Sequence, residues 1–88
     1  MQAYKILGAT NVSPTSTGTA STVEGAHYAM LSNSGTTVRE VTILTAAGGT
    51  PIGTVALLGS ERMVIKKDDT DAIYSAHAEV FLTPVYPN

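Results

Sequence analysis

Val38-Arg39-Glu40-Val41-Thr42-Ile43-Leu44-Thr45, then Ala46-Ala47-Gly48-Gly49-Thr50-Pro51, then Ile52-Gly53-Thr54-Val55-Ala56-Leu57-Leu58: this stretch decides the fold. Two runs rich in β-branched residues flank a connection whose Gly48-Gly49 pair admits positive φ, which is what a hairpin needs. In the first run Val41 and Ile43 share a face, and Arg39 marks where that face reaches water. In the second, Ile52, Thr54, Ala56 and Leu58 fall on one side, with Gly53, Val55 and Leu57 on the other. The set beginning at Ile52 is expected to supply the core residues.

The same grammar extends both ways. Glu61 to Lys67 alternates, with Met63, Ile65 and Lys67 opposite Arg62, Val64 and Lys66. Glu79 to Val85 sets Val80 and Leu82 against Phe81, Thr83 and Val85, while Tyr4 to Leu7 and His27 to Leu31 read as further strands. Pro84 and Pro87 predict that the last strand is an edge or peels away as a tail. Asp69 to Ala78 predicts a short helical turn capped by Asp69, with Ile73 and Tyr74 dropping into the core. No window carries the capped i, i+3, i+4, i+7 pattern of a surface helix. The fold class is therefore all-β: a small antiparallel β-sandwich or partly open barrel of six to seven strands, preceded by a Thr/Ser/Gly-rich N-terminal loop or arm. Its expected core is Val41, Ile43, Ile52, Ala56, Leu58, Met63, Ile65, Ile73, Val80 and Leu82.

The 88 residues fit a single β domain spanning 1–88, with residues 8–25 as loop or arm and residues 27–85 as β core. The absence of cysteine excludes a disulfide framework and a thiolate metal site. A net charge of −2 argues against a nucleic-acid or anionic-membrane partner, since both need a basic face. Charged residues make up only 14% of the chain. Soluble domains average about 25%, so the surface is expected to tolerate being covered by a neighbour. No basic n-region with an apolar h-region opens the sequence, and no apolar run is long enough to span a bilayer. Residues 8–25 are almost all small and polar, with Val12 and Val23 as the bulky apolar exceptions. They read either as a flexible loop or as an arm that orders on a partner. The arm reading expects that deleting residues 9–23 leaves a folded domain and weakens assembly.

Catalytic chemistry is thinly represented. His27 and His77 stand fifty residues apart without a nucleophile motif, and Ser60–Glu61 and Ser75–His77 are adjacent only in sequence. Asp68, Asp69 and Asp71 form the one dense acidic cluster and are the weak candidates for a cation site. They lack EF-hand spacing, and a solvated turn whose carboxylates bond local N–H groups explains them as well. No enzyme activity, metal or cofactor is expected.

A resemblance adds to this reading. Val38 to Ile43, Pro51 to Leu57, Glu61 to Tyr74 and Phe81-Leu82-Thr83-Pro84-Val85 resemble, in that order, small virion proteins of tailed bacteriophages, particularly marine and cyanobacterial ones. The most specific parts are Lys67-Asp68-Asp69-Thr70-Asp71-Ala72-Ile73-Tyr74 and Thr83-Pro84-Val85; the Thr-rich segment lies outside the likeness. The resemblance implies a structural component located in the virion, of the capsid decoration or cement type. Its partners would be the major capsid protein or other virion proteins, with a homo-oligomer, a trimer favoured. Alternatives are a head–tail or tail component, or a carbohydrate- or protein-binding module on the virion. Val12, Val23, Tyr28, Met30 and Leu31 are the expected partner interface.

Overall fold

The computed structural model describes residues 3–87. They form a small antiparallel β-sandwich with a radius of gyration of 11.7 Å. The strands are β1 (Tyr4–Ile6), β2 (Asn11–Val12), β3 (Tyr28–Asn33), β4 (Arg39–Leu44), β5 (Pro51–Leu57), β6 (Arg62–Lys66), β7 (Ala72–Ser75) and β8 (Val80–Pro87). One sheet runs β1-β8-β3-β6, with β2 also paired to β8; the other runs β5-β4-β7.

Register assigns the faces. In the larger sheet Leu31 lies opposite Met63 and Leu82, and Ala29 opposite Ile65 and Pro84. These point into the sandwich, where they meet Val41, Leu57, Ile73 and Val80. In the smaller sheet Val41 pairs with Val55 and Arg39 with Leu57. Directly opposed residues face the same way, so Gly53, Val55 and Leu57 look inward. This corrects the expected face of β5: Ile52 and Leu58 are 57% and 55% exposed, and Ala56 is exposed too. Both faces of that strand are apolar, so hydrophobicity could not choose between them. The register could, and a shift between Ile43 and Leu44, where Pro51 follows Gly53 as partner, leaves Ile52 outside the pairing.

Three other expectations change. Residues 69–78 are not helical: Asp71 N–H bonds Asp68 O at 3.0 Å, closing a turn, and β7 follows at once. Strand β8 is central, flanked by β3 and by β1 and β2. Proline is tolerated there because Leu7 N–H bonds Pro84 O, so the missing N–H would point at the same neighbour, where β1 has ended and β2 has not begun. Gly8 sits in that gap, where a Cβ would lie 3.0 Å from Pro84 Cγ.

The Thr-rich segment is woven into both sheets. Val12 pairs with Phe81 on β8, and Ser13 N–H then bonds Val80 O. Crossing to the other sheet, Pro14 O accepts from Ser75 N–H, and Ser21 exchanges both main-chain bonds with Ile73. A 3₁₀ turn at Thr17–Thr19 lies between, and Thr17 O accepts from Gly48 N–H of the β4–β5 hairpin. Ala20 packs on Leu44 and Ala72, a small second core on the outside of the smaller sheet. Val23, Glu24 and Gly25 follow in left-handed conformation at φ 54°, 58° and 71°. That is strained for a β-branched residue, and the burial of the Val23 side chain in the main core offsets the strain.

Candidate interaction surface

The inward residues of β3, β6 and β8 leave a second set pointing out of the larger sheet. Register arranges it in rows. Val12, Phe81, Ser32 and Arg62 form the first, Thr83, Met30 and Val64 the second, and Val85, Tyr28 and Lys66 the third. A sheet with one face to water ordinarily alternates apolar-in and polar-out. Here the outward positions of the central strands are mainly apolar or aromatic, and Phe81, Met30, Val64 and Tyr28 are half-buried. Tyr86 stands edge-to-face on Tyr28, with ring centroids 5.8 Å apart and planes at 88°.

The five expected interface residues therefore divide. Val12, Tyr28 and Met30 share this outer face. Leu31 and Val23 do not reach it: they are 0% and 4% exposed and belong to the core, which corrects their assignment to a partner surface. Leu31 is the strand neighbour of Met30 and must point the opposite way. Val23 was open to misreading because its left-handed backbone turns an isolated valine inward from a polar segment. Phe81 and Val64, absent from the expected set, complete the face; their position beside Met30 and Val12 depends on cross-strand register rather than on local sequence.

The polar clusters are structural in their contacts. Asp71 Oδ2 accepts from Asp68 N–H at 2.9 Å, the local turn bond anticipated for the acidic cluster. Among the described residues no three His, Asp or Glu side chains converge as a metal set, so Asp68, Asp69 and Asp71 do not assemble one. His27 and His77 are exposed, whereas Ser75 is buried with its hydroxyl donated to Glu40 O at 3.0 Å. No helix among the described residues is long and apolar enough to cross a membrane.

Lys67 is the unexpected member. It is 5% exposed, and its Nζ donates to Asp68 O at 3.1 Å. Burial lowers its pKa from the ordinary 10.5, against the opposing pull of the Asp71, Asp69 and Asp68 carboxylates. Between that lowered value and 10.5 the unfolded chain binds more protons than the folded one, so this group makes stability rise with pH. Its contribution is complete above 10.5 and disappears as pH falls through the folded-state value. Denaturant titrations of wild type and Lys67→Met across the alkaline range are expected to diverge, wild type gaining relative to the variant as pH rises. A constant difference would contradict this.

No family model matches the chain, and neither a curated protein nor a solved structure does.

Proposed function

We propose that the chain is a structural component of a tailed-bacteriophage particle, a decoration protein that binds the head shell through the outer face of its larger sheet. The observation carrying this reading is that face: Val12, Phe81, Met30, Val64 and Tyr28, contiguous by register, occupy positions where a solvated sheet would be polar. The sequence resemblance of residues 67–74 and 83–85 to phage virion proteins supplies the kind of partner, a capsid protein in the virion. A rigid sandwich that loses little entropy on docking suits the role. Binding only the assembled shell stabilises it by mass action.

Heads prepared without the chain and then mixed with it test the reading by co-sedimentation. Wild type is expected to saturate the heads. Met30→Glu, which places a charge at the centre of the face, is expected to bind about 100-fold more weakly while melting as a folded protein. Equal binding by the variant would contradict docking through this face. The Tyr28–Tyr86 pair favours a second reading, a carbohydrate-binding module on the virion, since aromatic rings stack on sugars and the Tyr86 ring is exposed. A positive glycan array with no binding to heads would select it.

A further inference from the structure

We infer that the outer edge of β5, which no strand among the described residues pairs, is a self-pairing surface, joining two copies of this chain into one continuous sheet about a two-fold axis at Val55. The hydrogen-bond alternation shows which groups are available. Ile73 gives both its N–H and its C=O to Ser21, at 2.7 and 2.9 Å, so both point away from β4. Alternation then turns the main-chain groups of Tyr74 towards its partner Thr42. Thr42 bonds β7, so Thr54, opposite it on the other side, receives nothing from β4. The N–H and C=O of Thr54 therefore project from the sheet edge, and two residues on so do those of Ala56.

Native edges are ordinarily blocked by charge, shortness or a cover. The other edges of this molecule are. Strand β6 carries Arg62 and Lys66, β1 and β2 are three and two residues long, and β7 is covered by Pro14 and Ser21. Strand β5 has seven residues, Pro-Ile-Gly-Thr-Val-Ala-Leu, with no charge and with proline only at its first position.

Antiparallel pairing centred on Val55 is self-complementary. Thr54 exchanges both bonds with the partner's Ala56, and Ala56 with the partner's Thr54. Val55 faces the partner's Val55 in a non-hydrogen-bonded pair. On the outer face Ile52 falls opposite the partner's Leu58, so the two large apolar side chains that β5 and its following turn leave more than half exposed cover each other. On the inner face nothing lies within 4 Å of where a Gly53 Cβ would be, so the approaching strand meets open space.

The size of the contact sets its strength. Seven residues span about 23 Å. One sheet layer is about 10 Å deep, so the contact covers roughly 500 Å² over both copies, well below the ~1,000 Å² that a stable specific interface clears. The pair is accordingly weak in dilute solution and fills when copies are concentrated. This two-fold pair differs from the trimer that the resemblance implies, and it does not depend on the proposed function.

Sedimentation equilibrium on the purified chain, from about 1 µM to about 1 mM, is the test. Wild type is expected to shift from monomer to dimer within that range. Ala56→Pro removes an outward N–H and no bond to β4, and Thr54→Lys adds a charge while keeping every main-chain group. Each is expected to weaken the dimer at least about tenfold, with circular dichroism confirming the fold. The chain has no cysteine, so Val55→Cys is a clean probe of register. Cα atoms in such a pair lie about 4.5 Å apart, within disulfide range, and oxidation is expected to give a covalent dimer. Gly53→Cys, opposite the partner's Leu57, is expected to give none. A wild type that stays monomeric throughout overturns the inference. So does a dimer indifferent to both edge variants, or one that Val55→Cys does not trap.

Discussion

Replacing Asn33 by alanine is expected to lower the free energy of unfolding by about 3 kcal/mol and the melting temperature by roughly 10–25 °C. Asn33 closes β3 with its side chain 2% exposed on the inner face, where a hydrophobic residue would ordinarily stand. Its Nδ2 donates to Leu57 O at 3.1 Å and to Thr37 O at 2.8 Å, and its Oδ1 accepts from Gly35 N–H at 2.9 Å. Leu57 belongs to the smaller sheet, so this one amide ties the two layers together while ordering the β3–β4 turn. Alanine leaves the buried Leu57 carbonyl without this donor and the turn without its brace. Unsatisfied buried groups cost about 1–3 kcal/mol each, the more solvated turn groups less. Asn33→Leu separates the causes, because it fills the volume without restoring the bonds. It is expected to be nearly as unstable as the alanine variant, and recovery of wild-type stability by leucine would show that packing dominates. Thermal and urea denaturation followed by circular dichroism measure both.

The second large effect concerns the segment whose sequence looks least structural. Deleting residues 9–23 is expected to abolish cooperative folding, contrary to what a partner-binding arm would do. Besides the pairing of β2 with β8, five main-chain bonds to the strands and the β4–β5 hairpin would go: Ser13 to Val80, Pro14 to Ser75, Thr17 to Gly48, and both between Ser21 and Ile73. At about 0.5–1.5 kcal/mol each, together with about 1.5–3 kcal/mol for burial of Val23, the loss is comparable to the 5–15 kcal/mol that holds a domain of this size. The deletion also uncovers the edge of β7. A dispersed amide NMR spectrum from the deleted chain would show that the segment is dispensable after all.

These effects mark where the sequence was legible. Alternation with turn residues at each end was enough to locate β4, β6 and most of β8, and Gly48 does take the positive φ that the hairpin required. Local pattern failed where a distant partner decided the outcome. Both faces of β5 are apolar, and pairing with β4 chose Val55 over Ile52. Ala72-Ile73-Tyr74-Ser75 is too short to announce a strand, and becomes one between β4 and Ser21. Pro84 argued for an edge because nothing in the sequence reveals that β1 stops opposite it. The outer face was half legible: Tyr28 and Met30 are two apart and must share a side, but only cross-strand register brings Val12, Phe81 and Val64 beside them. Leu31 sat next to Met30 in the chain and belongs to the opposite side of the sheet.

Scarce charge, an apolar outer sheet face and an uncharged β5 edge are the observations on which the proposed decoration role and the proposed pairing rest. Quantitative mass spectrometry of purified virions from a tailed phage whose genome carries this sequence measures the proposed role most directly, as copies of the chain per copy of the major capsid protein. A decoration protein predicts a fixed ratio of order one, tens to hundreds of copies in each particle. Absence from the virions, or a handful of copies per particle, would contradict it.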